Sequence, residues 1–231
     1  MKARFDNDQT PLHVVSQLGR VDLMRDLIKR SAERDAENKY KETPLYLAVR
    51  SGFKEVTDEL LRHQVNVNHR DVMGRTPLQE ASEKGHDAVV SALIEGQARC
   101  NDQDNYHWAA LHMASRTGNS NVVRVLLDQG ADVDIRDDLG WTALHMASHK
   151  GRRDVVQQLL SKGADVNARE YARRETALHL AAYYGHHEVA ELLISHGNVD
   201  QTIRNSDGET PLSLARIRGH QNIEMLLGGG D

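Results

Sequence analysis

The stretch TALHMASHKGRRDVVQQLLSKGADVN, residues 142–167, decides the fold of this 231-residue chain. Thr142 is suited to cap a helix, because its hydroxyl can accept a hydrogen bond from a backbone N–H that has no partner inside the helix. Gly151 is suited to end that helix, since a residue without Cβ readily adopts the left-handed conformation found there. Val155, Val156, Leu159 and Leu160 follow at helical spacing. The stretch therefore predicts two short helices joined by a tight turn.

The same pattern recurs along the whole chain. Matching leucines are separated by 33, 33, 33, 33, 34 and 34 residues: Leu12, Leu45, Leu78, Leu111, Leu144, Leu178 and Leu212. All four prolines directly precede one of these leucines, and a glycine follows each leucine by seven residues. Polar stretches such as 137–140 and 205–208 predict hairpin-like connections. Seven copies of one two-helix unit therefore account for the chain.

The repeated residues resemble the ankyrin repeat family. The resemblance rests on Thr-Pro-Leu-His at 10–13, Thr-Ala-Leu-His at 142–145 and 176–179, and Gly-Ala-Asp-Val-Asn at 163–167. It implies an all-α solenoid of seven helix-turn-helix units with hairpin loops, whose hairpins and first helices form a concave surface. We expect one ankyrin-repeat domain over residues 1–231, because a single unit cannot bury its apolar face alone. The units are expected at about 5–37, 38–70, 71–103, 104–136, 137–170, 171–204 and 205–231.

Some units depart from this pattern. The fourth unit has Ala109 where the capping threonine is usual, and the first three units lack the Gly-Ala-Asp ending, with Gln64 in place of glycine. We therefore predict that the amino-terminal units fray first. Extra residues near 170–175 and 197–204 fall in connections, where insertions are tolerated. The last unit is expected to form a polar cap.

Composition narrows the possible functions. The net charge of −5 disfavours a protein that binds nucleic acid through its overall field. Apolar runs are far shorter than the ~20 residues of a membrane span, and no secretory signal is evident at the amino terminus. With one cysteine, Cys100, no internal disulfide can form. We expect a protein of the cytoplasm and/or nucleus, without a membrane span.

Histidines and catalytic motifs give no candidate reaction site. His13, His112, His145 and His179 all follow the signature leucine, where the resemblance implies a structural bond to the neighbouring threonine and backbone. His145 and His149 have the spacing of a metal pair, but neither an HExxH motif nor a third ligand accompanies them. No phosphate-binding loop or nucleophile motif is present. We predict no catalytic residue, no metal, no cofactor and no enzymatic activity.

The aromatic and basic residues are the candidate binding site. Trp108 and Trp141 occupy the same position of consecutive units, and Tyr183 and Tyr184 end a first helix; the resemblance places them towards the concave side. A tryptophan there can also serve only to pack one hairpin on the next. Exposed aromatics beside arginine dominate interfaces, which favours binding. The predicted partner-binding residues are Tyr106, Trp108, Arg116, Leu139, Trp141, His149, Lys150, Arg173, Tyr183, Tyr184 and Arg75.

Three functions are open at this point. The first is a non-catalytic protein-interaction module, a monomeric scaffold or adaptor that holds a peptide or protein surface in its groove. Its ligand is expected to carry apolar anchors with acidic neighbours. The second is a nucleic-acid or histone-tail reader that uses the same aromatics, although the net charge makes nucleic acid a poor partner. The third is an enzyme or enzyme subunit, which lacks a catalytic constellation.

Overall fold

A computed structural model describes residues 4–228, and this part of the chain contains fourteen α-helices and no strand. A 3-10 turn at Asp6–Asp8 precedes the helices. The helices are α1 Pro11–Gln17, α2 Val21–Lys29, α3 Pro44–Arg50, α4 Lys54–Arg62, α5 Pro77–Lys84, α6 Asp87–Glu95, α7 Ala110–Thr117, α8 Ser120–Asp128, α9 Ala143–His149, α10 Arg153–Ser161, α11 Ala177–Tyr184, α12 His187–Ser195, α13 Pro211–Arg218 and α14 Gln221–Gly228.

Threonine precedes and glycine follows the first helix of most pairs, as the sequence predicts, and the fourth pair has Ala109 in place of threonine. The hydroxyls of Thr10, Thr43, Thr76, Thr176 and Thr210 each accept a bond from the backbone N–H three residues later. Gly151 has a φ of +66°, and a Cβ added to it would lie 2.6 Å from the ring of His186. The position therefore requires glycine for both conformation and space.

The chain divides into two compact units. Unit 1 runs to Ala110 and includes Asp128–Gly130, and unit 2 comprises Leu111–Leu127 and the chain from Ala131 onwards. In unit 1, α1 packs on α3 and α3 on α5, while α2 packs on α4 and α4 on α6. In unit 2, α9, α11 and α13 form one such row and α10, α12 and α14 another. Each unit therefore has a layer of first helices and a layer of second helices.

The core lies between these two layers. The signature leucines that it buries include Leu45 and Leu78 in unit 1 and Leu144 and Leu178 in unit 2, each at most 1% exposed. Valines and leucines at helical spacing on the second helices complete it, as on α10. Burial of apolar surface contributes ~25 cal/mol per Å², so these repeated side chains dominate stability.

A polar side chain, buried in all but one case, organises each hairpin between helix pairs. Asp137 is 5% exposed, and its Oδ1 accepts bonds from the N–H groups of Leu139 and Trp141 at 2.9 and 2.8 Å. Asn38, Asp71, Asp104 and Asn205 bind their own hairpins in the same way. The residue two places after each of these therefore has a fixed backbone position at the tip of the hairpin.

Arginine side chains connect neighbouring hairpins within each unit by hydrogen bonds. The guanidinium of Arg136 donates to the carbonyl of Gly140 in its own hairpin at 3.1 Å and to that of Arg169 in the next at 2.9 Å. Arg4 and Arg70 make the corresponding pair of bonds in unit 1. Both acceptors are backbone carbonyls, and the fork of donors on one guanidinium reaches them together.

The first extra residue lies in the hairpin around Arg173, where the spacing predicts it. In this longer loop Glu170 replaces the usual aspartate, and its carboxylate accepts from the N–H groups of Ala172, Arg173 and Glu175 at 2.7, 2.5 and 3.1 Å. A side chain one methylene longer than aspartate thus organises a loop that is one residue longer.

The loops after the first six second helices each contain a left-handed residue. In the later repeats it is glycine: Gly130, Gly163 and Gly197 have φ values of +79°, +85° and +86°. In the first three repeats the equivalent residues are Ser31, Gln64 and Gln97, with φ values of +61°, +57° and +71°. Because a Cβ makes this conformation costly, the amino-terminal repeats carry backbone strain that the later ones avoid.

Candidate functional site

Four of the predicted binding residues meet in unit 2. The ring centroids of Trp141 and His149 are 5.4 Å apart in an edge-to-face arrangement, and those of His149 and Tyr184 are 4.4 Å apart. Tyr183 and Tyr184 are 4.9 Å apart, also edge to face. We call Trp141, His149, Tyr183 and Tyr184 the aromatic row. Aromatic contacts of this geometry are favourable, so each ring orients the next.

Hydrogen bonds between repeats hold the backbone of the aromatic row. The carbonyl of Trp141 accepts a bond from His112 Nε2 at 3.1 Å. The carbonyl of His149, the last residue of α9, accepts from His186 Nε2 at 2.9 Å, and that of Tyr183 accepts from His220 Nε2 at 3.0 Å. Trp141, His149 and Tyr183 are therefore each positioned by a histidine of an adjacent helix pair.

The aromatic row is accessible on one side. Tyr184 is 45% exposed, while Trp141, His149 and Tyr183 are half-buried. The ring of Trp141 packs on His145 and His149 and keeps part of its surface accessible. Half-burial lowers the pKa of His149, and the charges of Lys150 and His186 act in the same direction. Its imidazole is consequently neutral near pH 7.

Cations flank the aromatic row. Lys150 is exposed directly after α9, and the guanidinium of Arg218 lies 4.3 Å from the ring centroid of Tyr183. The first helices α9, α11 and α13 contain no aspartate or glutamate. The second helices carry acidic residues such as Asp154, Glu188 and Glu224. His149, Tyr183 and Tyr184 thus lie on helices without an acidic side chain, with the cations Lys150 and Arg218 beside them.

The other predicted residues of unit 2 lie beside the aromatic row or are engaged elsewhere. Leu139 is 58% exposed at a hairpin tip. Arg173 is exposed, but its guanidinium pairs with Asp207 at 2.8 Å and with Glu175 at 3.5 Å. Arg116 lies near the end of α7, and its carbonyl accepts a bond from Arg152 Nε at 3.3 Å.

The remaining predicted residues, Arg75, Tyr106 and Trp108, lie in unit 1. Tyr106 is 56% exposed at a hairpin tip, and Trp108 is half-buried with its carbonyl bonded to Gln79. The guanidinium of Arg75 is engaged by Glu80 at 3.0 Å and Glu83 at 2.5 Å. These three residues belong to unit 1, whereas the aromatic row belongs to unit 2.

A buried charged cluster that the sequence did not indicate occupies the first helices of unit 1. Arg50 pairs with Glu42 and with Glu80, the latter at 3.0 Å. The hydroxyl of Tyr46 donates to Asp71 and Glu80 at 3.0 and 3.2 Å. Burial raises the pKa of Tyr46, and the nearby carboxylates of Glu80 and Asp71 add to this. The charged side chains of this cluster pair with one another, in contrast to the cations Lys150 and Arg218 beside the aromatic row.

Arg218 is the contact residue missing from the sequence-based site. It lies 34 residues after Tyr184, so the position that ends a first helix with tyrosine in one repeat carries arginine in the next. Comparison of that one position across repeats would have found it. Among residues 4–228 no group of three metal-ligating side chains comes together, and no helix is long and apolar enough to cross a membrane.

The fold and site define the class of protein: an all-α repeat protein of helix pairs joined by hairpins. The family model for ankyrin repeats in three copies matches residues 12–104, 58–137, 96–170 and 170–231. The chain therefore belongs to the ankyrin-repeat family, and the fold predicted from the repeat is confirmed. A search of curated proteins gives no match.

Solved structures agree with this assignment. The chain is similar to the human ASB11 ankyrin repeat domain, with 28% identity, a TM-score of 0.84, and coverage of 94% of this chain and 97% of that one. It is also similar to the ankyrin repeat domain of Bcl-3, described as a unique member of the IkappaB protein family, with 28% identity, a TM-score of 0.81, and coverage of 95% and 100%. Ankyrin repeats are generally protein–protein interaction modules.

Proposed function

We propose that this chain is a non-catalytic protein-interaction module, and that the aromatic row of unit 2 binds a peptide or protein surface in the groove along its first helices. The observation that carries the proposal is the run of ring contacts from Trp141 to Tyr184, accessible on one side and flanked by Lys150 and Arg218. Partly exposed aromatic residues beside cations are typical of binding hot spots.

The ligand of the aromatic row carries apolar anchors and acidic neighbours. The faces of Trp141 and Tyr184 suit apolar or aromatic side chains, while Lys150 and Arg218 suit carboxylate or phosphate groups. Packed helices lie ~8–10 Å apart and an extended chain rises ~3.3 Å per residue, so anchors over α9 and α11 are about three residues apart; because a regular strand turns its third side chain to the opposite face, the chain twists between the two anchors. The proposal includes action as a monomeric scaffold or adaptor in the cytoplasm and/or nucleus, as the sequence leads us to expect.

A double substitution of the aromatic row tests the proposal. Random peptides would be selected for binding to the chain, and the affinity of the enriched peptides measured for the wild type and for Trp141→Ala/Tyr184→Ala. We expect enriched peptides with apolar residues about three apart and nearby carboxylates, and a loss of about 30-fold or more in the double variant, since a hot spot is worth ~2 kcal/mol.

Two controls keep that result interpretable. Tyr171, which is 63% exposed on a hairpin of the same unit, supplies the matched variant Tyr171→Ala, which should keep wild-type affinity. Tyr184→Ser alone changes a side chain that is 45% exposed and should leave the melting temperature unchanged. Equal peptide affinity for the wild type and for folded Tyr184→Ser and double variants would refute binding at the aromatic row.

A further inference from the structure

Apolar side chains lie at the tips of successive hairpins in unit 1. Tyr40, Met73 and Tyr106 are spaced by 33 residues and occupy the same hairpin position. They are 44%, 41% and 56% exposed, and Val72 beside Met73 is 47% exposed. We call Tyr40, Val72, Met73 and Tyr106 the tip ridge. Large apolar residues that recur on one exposed edge are unlike the scattered ones of an ordinary surface.

The backbone presents the tip ridge rigidly. Each tip residue donates its N–H to a side chain two positions earlier: Tyr40 to Asn38, Met73 to Asp71 and Tyr106 to Asp104, at 2.8–2.9 Å. The tips are also bonded to one another, because Val72 N–H donates to the Tyr40 carbonyl and Asn105 N–H to that of Met73, both at 3.0 Å. A preordered surface loses little conformational entropy when a ligand binds.

One end of the tip ridge is positively charged. Lys39 and Lys41 are exposed on either side of Tyr40, and Lys39 Nζ lies 4.8 Å from the Tyr40 ring centroid. Of the carboxylates nearby, Glu42 pairs with Arg50, and Glu37 lies 3.2 Å from Nε2 of His69, which forms an ion pair only when the imidazole is protonated. A ligand that covers Tyr40 is therefore favoured if it carries carboxylates at that end.

We propose that the tip ridge is a second interaction surface, and that its occupant is a polyproline II segment of another protein. The segment carries apolar or proline side chains at every third residue and acidic residues at the end over Lys39 and Lys41. This surface is independent of the aromatic row, so either proposal can fail without the other.

The spacing of the hairpin tips favours the polyproline II conformation for the bound segment. The helices α3 and α5 pack together, and packed helices lie ~8–10 Å apart, so successive tips repeat at about that distance. A polyproline II helix returns the same face every third residue, after ~9.3 Å. An extended β-strand turns the opposite face after three residues, and two turns of α-helix span ~10.8 Å. A second copy of the chain is disfavoured, since a stable dimer buries ~800 Å² on each partner and the tip ridge has four side chains.

Designed peptides test the tip ridge directly. The probe is two aspartates followed by three Leu-Pro-Pro triplets, compared with a peptide of the same composition whose leucines alternate with proline. We expect the triplet peptide to bind the wild type, and Tyr40→Ser/Met73→Ser/Tyr106→Ser to weaken it at least about tenfold. Lys39→Glu/Lys41→Glu should weaken it several-fold and reduce its dependence on salt.

Controls assign the binding to the tip ridge. Ile217 and Met225 are 64% and 67% exposed in unit 2, so Ile217→Ser/Met225→Ser makes the same polarity change elsewhere and should bind as the wild type does. Trp141→Ala/Tyr184→Ala, which removes the aromatic row as a second site for a peptide with apolar residues three apart, should still bind the triplet peptide at the tip ridge. The proposal is overturned if no binding occurs up to ~1 mM, if the alternating peptide binds equally well, or if the aromatic-row variant rather than the tip variant loses affinity.

Discussion

His13, His145 and His179 join two repeats through one imidazole each. In His145, Nδ1 accepts from the backbone N–H of Thr142 at 3.2 Å, so the proton is on Nε2, which faces the carbonyls of Ala168 and Glu175 at 3.1 and 3.2 Å. The structural role predicted for this residue is therefore confirmed. Burial lowers the pKa of His145 to about 4, and burial also lowers those of His13 and His179.

Acid should destabilise the protein through these histidines. Because the folded pKa of His145 lies below its unfolded value of 6.5, its contribution is complete above pH 6.5 and is lost as pH falls towards 4. His145→Gln should remove about 1–3 kcal/mol of this pH dependence, since Gln79 already makes the equivalent bonds in another repeat. Urea unfolding between pH 7 and 4 measures the effect.

The control for this pH dependence is the exposed residue His196. His196→Gln should unfold with the wild-type pH profile. If His145→Gln and the wild type lose stability in parallel between pH 6.5 and 4, titration of His145 does not contribute to acid unfolding.

The left-handed glutamines allow a second prediction at this scale. Gln64→Gly should stabilise the chain by about 1 kcal/mol, because glycine adopts this φ without the Cβ penalty. The reverse change, Gly163→Gln, should destabilise it by a similar amount; a Cβ there meets nothing within 4 Å, so the backbone alone is tested. Thermal melting checks both variants, and an unchanged or lower melting temperature for Gln64→Gly would contradict the prediction.

The first helix pair is less well covered than the pairs that follow it. Leu23 on α2 is 45% exposed, whereas Val56 at the equivalent position of α4 is 1% exposed. Leu18, at the end of α1, is 63% exposed. In a repeat array each unit is stabilised mainly by its neighbours, so a pair with this much exposed apolar surface has a small free energy of local opening.

Hydrogen exchange measures that opening. We expect the amides of α1 and α2 to exchange before those of α3 and α4, and well before those of α9 and α10, whose loop has glycine at the left-handed position, Gly163. This is the fraying of amino-terminal units that the sequence predicts. Faster exchange in α9 and α10 than in α1 and α2 would show that strain and exposure do not control local stability here.

The limits of the helices were predictable element by element. Thr176, Gly185 and the signature leucine between them suffice to place α11, because capping and glycine chemistry are local. The polar cap expected of the last repeat is only partly found, since Ile217 and Met225 are among the most exposed apolar residues. Helical spacing identifies an apolar face but does not establish whether another element covers it.

For the molecule as a whole, the period of the sequence was sufficient to predict the fold, whereas the sites were predictable only in part. The sequence singled out Trp141, His149 and Tyr184 as single residues, but their mutual contacts depend on which side chain a neighbouring repeat places opposite each of them. For the same reason, the cluster of Tyr46, Glu80 and Arg50 was not predictable from the sequence. Repeats of one sequence pattern thus carry an aromatic surface in one unit and a charge-paired surface in the other.

The arginine ties have a consequence for how such an array can change. Arg136 binds carbonyl oxygens of Gly140 and Arg169, and a carbonyl is offered by every amino acid. These arginine hydrogen bonds consequently do not require a particular amino acid at the acceptor position. Whole repeats can therefore be duplicated, reordered or exchanged while the arginine hydrogen bonds between hairpins are kept. The residues that face a ligand can then change without loss of the connection between repeats.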